Sequence, residues 1–90
     1  MPIDVQASEL NELFRVNLRR IRKERGLSQQ ALADRINKTR KRGAPRVHAP
    51  YISDLESGER VPIIGTLAEL AEALEITPDA LISAEEKISA

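Results

Sequence analysis

Apolar side chains at Leu10, Leu13, Phe14, Leu18 and Ile21 recur every three or four residues, which places them on one stripe of a helix. The spacing predicts a first helix from Ser8 to Arg25, with Ser8 as its N-cap and Gly26 ending it in the left-handed conformation. A second periodic run, Ala31, Leu32, Ala33 and Ile36, follows Ser28, whose hydroxyl suits a cap, while Leu27 suits a hydrophobic staple. From Asn37 to Pro45 the period stops, and the stretch ends in breakers, so it predicts a loop. A third helix starts near Ala49, with Pro50 in its first turn, Ile52 and Leu55 inward, and Ser57-Gly58 at its close. Val61-Pro62-Ile63-Ile64 forms an apolar bridge to a fourth helix over Ile64 to Leu74, with Leu67, Leu70, Ala71 and Leu74 facing the core. Thr77-Pro78-Asp79 opens a short fifth helix containing Leu81 and Ile82, and the polar tail from Ala84 to Ala90 is expected to fray. No run alternates as a strand does. The expectation is an all-α domain of five short helices.

Composition narrows the chemistry. Ninety residues make one small domain, with a core over about residues 8–83, a basic loop over 37–46 and a tail over 84–90. Without cysteine there is no disulfide, no thiolate metal site and no cysteine nucleophile, and a single histidine excludes a multi-histidine zinc site. The chain shows no nucleophile and base pair and no glycine-rich phosphate loop, so neither an enzyme nor a cofactor is expected. No apolar run is long enough for a membrane span, and Met1-Pro2-Ile3-Asp4 lacks the features of a signal peptide. The expected setting is cytoplasmic, with no membrane partner.

A formal net charge of zero conceals a strongly divided layout. From Arg15 to Arg46 there are twelve Lys and Arg against Glu24 and Asp34, a net +10, whereas residues 47–90 carry a net −7. A block of this kind fits a surface that faces a polyanion, although solvated helix faces would give the same count.

Three segments carry a family resemblance. They are Leu18-Arg19-Arg20-Ile21-Arg22-Lys23-Glu24-Arg25-Gly26-Leu27-Ser28-Gln29-Gln30-Ala31-Leu32-Ala33, then Tyr51-Ile52-Ser53-Asp54-Leu55-Glu56-Ser57-Gly58-Glu59-Arg60, then Pro62 with Thr66-Leu67-Ala68-Glu69-Leu70-Ala71-Glu72-Ala73-Leu74. In this order they resemble the phage-repressor (Cro/C1, XRE) helix-turn-helix family, over about Leu13 to Ile82. The resemblance implies a five-helix lambda-repressor-like DNA-binding domain whose third helix enters the major groove of double-stranded DNA. The sequence departs from the family between helices 2 and 3, where about nine extra residues replace a tight turn. Five cations, Lys38, Arg40, Lys41, Arg42 and Arg46, lie in or beside that insertion. Two forms are open for it: a flap that leaves the helix packing intact, or an arm that follows DNA, mobile when free and ordered when bound.

The resemblance assigns roles residue by residue. Gln29, and with less support Gln30, match phosphate contacts at the start of helix 2, where free backbone donors add to the amide. Base-reading positions fall on Ala49, Pro50, Ser53 and Asp54, with His48 as a cap or phosphate donor. The set lacks the Arg or Gln that would hold a purine in two hydrogen bonds; Asp54 suits cytosine N4, and Ala49 a thymine methyl. An acid so near phosphates needs a base donor or an arginine to offset it. Tyr51 reaches a phosphate or shields the core, and Arg60 contacts the backbone or is a surface cation. Arg22 and Glu56 are expected to form a structural fork between helix 1 and helix 3.

The implied function is a sequence-specific transcriptional regulator, a homodimer on a palindromic operator, with Ile76, Leu81 and Ile82 as its dimer surface or simply as core. The competing reading is an antitoxin-like module whose acidic half, including Glu69, Glu72, Glu75 and Asp79, docks a basic protein partner. RNA is disfavoured, because one Tyr and one Phe offer little stacking surface.

Overall fold

Four α-helices form where the apolar stripes place them: α1 (Ala7–Glu24), α2 (Gln29–Thr39), α3 (Ala49–Ser57) and α4 (Ile64–Leu74). They come from a computed structural model that describes residues 7–84, so the tail from residue 85 onward lies outside the described residues. There is no strand among the described residues.

Local signals set most boundaries. Gly26 sits at φ 70° and releases the chain from α1. The Ser28 hydroxyl accepts from the Ala31 N–H at 3.0 Å, as an N-cap should. Gly58, at φ 88°, ends α3. A Cβ there would meet Arg15 Cδ at an ordinary contact distance of 3.4 Å, so it is the left-handed backbone angle that favours glycine.

Three boundaries differ from expectation. Helix α1 already includes Ala7, so Ser8 lies in its first turn and not at its cap. Helix α2 runs on to Thr39, because nothing in Asn37-Lys38-Thr39 breaks a helix and buried Ile36 anchors that turn. The fifth helix is a single 3-10 turn, Pro78–Leu81, since four residues with no side-chain cap at Thr77 cannot propagate an α-helix.

The core draws on every element. Phe14, Leu18 and Ile21 of α1 meet Leu32, Ala33 and Ile36 of α2, Ile52 and Leu55 of α3, and Leu70, Ala71 and Leu74 of α4, with Leu81 closing the lower end. Leu81 is fully buried and belongs to the core, whereas Ile76 and Ile82 are partly buried and pack against the cluster. Asn17 brings a neutral amide into this interior and is 2% exposed. Its Nδ2 donates to the Leu81 and Ser83 carbonyls at 3.1 and 2.9 Å, which ties α1 to the 3-10 turn.

Much of the basic block serves the fold. Arg25 and Arg35 donate to the Glu75 and Ala73 carbonyls at the C-terminal end of α4, where a helix leaves acceptors unpaired. Arg15 pairs with Glu12, and Arg20 with Glu24, along α1. No helix among the described residues is long and apolar enough to cross a membrane.

Candidate nucleic-acid interface

The insertion between α2 and α3 is closed at its base. Asn37 Nδ2 donates to the Val47 carbonyl, and Asn37 Oδ1 accepts from the Val47 N–H, both at 2.8 Å. One side chain thus reproduces the paired bonds of a strand bridge and brings the two ends of the loop together. Val47 is 5% exposed and inserts into the core, so apolar burial secures the same point. The loop therefore leaves and re-enters at neighbouring positions, and α2 and α3 keep their direct packing. Neither Asn37 nor Val47 stands out in the sequence, because each lies in a stretch without periodicity.

Further contacts join the loop to α4 and close it on itself. Arg40 makes a two-pronged bond to Glu69 of α4, Nε to Oε2 at 3.0 Å and Nη2 to Oε1 at 2.8 Å. Its remaining Nη1 donates to the Pro45 carbonyl across the loop. The bond to Glu69 raises the Arg40 pKa above the ordinary guanidinium value, outweighing the desolvation that acts in the opposite direction. A turn closes with Ala44 N–H donating to the Lys41 carbonyl at 3.0 Å, and Gly43 takes φ 92° within it. Arg46 donates to the Asn37 carbonyl at 3.4 Å. Lys38, Lys41 and Arg42 are exposed, and their side chains make no hydrogen bond or ion pair among the described residues.

Helix α3 is fixed from behind by the expected fork. Arg22 Nε and Nη2 reach the two Glu56 oxygens at 2.5 and 3.0 Å, and both side chains are almost fully buried. Arg22 Nη1 also donates to the Leu27 carbonyl at 2.8 Å, at the turn leading into α2. Gln29 is drawn into the same cluster, its Nε2 donating to Glu56 Oε1 at 3.1 Å. Gln30 joins α2 to α3: its Nε2 donates to Asp34 and its Oε1 accepts from the Ala49 N–H at 3.3 Å. That bond occupies one of the orphan donors at the start of α3. His48 stands at the N-cap position of α3, but its side chain makes no capping bond.

With Ile52, Leu55 and Glu56 turned inward, the exposed side of α3 carries Pro50, Ser53 and Ser57, with half-buried Ala49 and Asp54 at its margins. Depressions flank this side. One is an open cleft of about 500 Å³ between the inserted loop and α3, with Arg46, His48, Pro50, Tyr51, Asp54 and Arg60 in its lining. The other, about 190 Å³, is lined by Arg19, Arg22, Gln29, Ser53, Glu56 and Ser57. Arg19 is exposed, and its side chain makes no hydrogen bond or ion pair among the described residues. Sequence reasoning misses it, because nothing sets it apart from the cations beside it.

Asp54 has its offsetting arginine. Arg60 Nε lies 3.8 Å from Asp54 Oδ2, its backbone N–H donates to the Asp54 carbonyl, and its guanidinium sits 5.4 Å from the Tyr51 ring centroid. The three side chains form one cluster beside the cleft. No group of residues able to hold a metal ion occurs among the described residues.

Helices α2 and α3 packed directly together, α3 held to α1 by a buried fork, and a polar helix face set between cation-lined depressions are the layout of a helix-turn-helix module. The chain belongs to the helix-turn-helix domain family, which matches residues 13–84. Among curated proteins it is similar to the HTH-type transcriptional regulator DdrOP3 of Deinococcus deserti, 38% identical over 77% of this chain and 46% of that protein. It is also similar to the uncharacterized HTH-type transcriptional regulator y4dJ of Sinorhizobium fredii, 32% identical over 83% of this chain and 86% of that one. The chain thus spans about half the length of the first relative and most of the second. No solved structure matches it.

Proposed function

We propose that this domain is a sequence-specific, double-stranded-DNA-binding transcriptional regulator of the Cro/C1 type, acting as a homodimer on a palindromic operator. One observation carries the reading: the exposed side of α3 lies between two cation-bearing depressions. A helix in a major groove meets sugar-phosphate backbone on both sides, and this layout supplies donors to both. On one side stand Arg46, His48, Tyr51 and Arg60, and on the other Arg19 with Gln29 at the start of α2. Gln30, held beside the first N–H of α3, adds a further phosphate donor. Bases are read from between them by Ala49, Pro50, Ser53 and Asp54.

Few of these make strong direct contacts, so much of the affinity comes from phosphates. Arg60 turns from Asp54 to a phosphate and frees the carboxylate for a cytosine amino group. Lys38, Lys41 and Arg42 add backbone contacts from the loop. A homodimer is supported by an apolar strip between α3 and α4, where Val61, Ile63 and Ile64 are 64, 73 and 84% exposed. A strip of this kind at the end of α3 suits contact between two copies placed on adjacent half-sites. Of the acidic residues of α4, Glu69 is already engaged by Arg40, which leaves it less open to a separate protein partner.

The test is selection from a random duplex pool at two salt concentrations, with the bound fraction sequenced. The expected product is a palindrome with half-sites about one helical turn apart. Recovery of no enriched site, with binding lost at about 0.15 M salt, overturns the proposal.

A further inference from the structure

We propose that Glu69 of α4 is a positioning residue for the inserted DNA-contacting loop, acting through Arg40. The inference rests on the DNA-binding reading above and extends it to a residue that carries the wrong charge to touch DNA.

The geometry assigns the role. Glu69 lies off the inward face of α4, which is formed by Thr66, Leu70, Ala71 and Leu74, so the core does not need it. Both of its oxygens are nonetheless engaged by Arg40, which leaves the pair only 17 and 30% exposed. A fork of two parallel bonds fixes orientation as well as distance, and the planar guanidinium transmits that orientation to its third partner. That partner is the Pro45 carbonyl, on the far limb of the loop. Between Arg40 and Pro45 lie Lys41 and Arg42, whose side chains have no partner among the described residues, and Arg46 follows. Glu69 therefore sets where Lys41 and Arg42 stand, on the limb between Arg40 and Pro45, and Arg40 and Pro45 themselves line the cleft that reaches Arg60. Asn37 closes the base of the loop and accepts from Arg46 through its carbonyl, whereas Lys41 and Arg42 stand on the limb that Arg40 braces.

The consequence has a sign that simple electrostatics reverses. Removing Glu69 takes the formal net charge from zero to +1, and long-range attraction to DNA alone would then tighten binding. Loss of positioning weakens it, because scattered cations neutralise fewer phosphates. For every phosphate no longer neutralised, the slope of log K against log salt becomes shallower by about 0.9, and affinity near 0.15 M salt falls about five-fold.

The experiment measures duplex affinity across a salt series for the full chain and for Glu69→Ala, Glu69→Gln and Glu72→Gln, the last removing the same charge from an exposed position of α4. Circular dichroism confirms the helical content of each variant. Weaker binding and a shallower slope in both Glu69 variants, with binding by Glu72→Gln as tight as the parent or tighter, is the expected result. Unchanged or tighter binding by the Glu69 variants overturns the inference, as does an equal loss in Glu72→Gln. If the unsubstituted chain itself binds no duplex, the DNA-binding reading fails first and carries the inference with it.

Discussion

Replacing Asn37 by Ala removes the clasp that allows an insertion inside a helix-turn-helix unit. Two neutral bonds of 2.8 Å disappear, and the Val47 N–H and carbonyl are left without the partner that the side chain supplied. A hydrogen bond of this kind contributes a net of about 0.5–1.5 kcal/mol, and the site is part-buried, so the pair stabilises by about 2 kcal/mol. Alanine in the last turn of α2 is a better helix former than asparagine, which returns about 0.5 kcal/mol. The expected net loss is about 1.5 kcal/mol, against a total stability of about 5–13 kcal/mol for a domain of this size. It lowers the melting temperature by about 6–12 °C. Urea denaturation followed by circular dichroism measures it directly. Asn37→Asp discriminates further, since it keeps an acceptor for the Val47 N–H but sets a carboxylate against the Val47 carbonyl. Asn37→Ala within about 0.5 kcal/mol of the parent would refute the clasp, because that is the ordinary range for surface substitutions.

Other perturbations follow from the same contacts. Glu56→Ala leaves the buried Arg22 guanidinium with only the Leu27 carbonyl and is expected to cost about 3–5 kcal/mol, read by thermal denaturation. Replacing both partners, Arg22→Met with Glu56→Leu, is expected to restore most of that loss in the same assay. Asn17→Ala deprives the Leu81 and Ser83 carbonyls of their donor and should cost about 2 kcal/mol, with amide hydrogen exchange rising first at the 3-10 turn. Lys38→Ala with Lys41→Ala and Arg42→Ala touches no internal side-chain bond, so stability should hold while the salt slope of DNA binding becomes shallower by up to about 2.7.

The helices are legible along the chain because the cause of each is local. Leu10 to Ile21 repeat with the helical period, Ser28 offers an oxygen to a donor three residues on, and Gly26 and Gly58 take backbone angles that other residues avoid. The Arg22 and Glu56 fork is legible through resemblance, since spacing alone does not say which acid faces which arginine. The loop is legible as an irregularity, but its expected first three residues belong to α2. Asn37-Lys38-Thr39 have no apolar period, yet they continue the helix because Ile36 is buried and no breaker intervenes. The fifth helix goes the other way, where cap-like residues at Thr77 and Pro78 lead into only one 3-10 turn.

The sequence by itself determined where the apolar faces lie, where helices α1 to α4 run, and that a basic insertion interrupts the unit. The tertiary structure decided what that insertion does to the site. Asn37 meets Val47 ten residues later, Arg40 meets Glu69 twenty-nine residues later, and Gln30 meets the first N–H of α3. Periodicity records the direction in which a side chain is buried, and burial favours any apolar neighbour. A hydrogen bond requires one donor and one acceptor within about 3 Å at a suitable angle, a condition met only after the helices have packed.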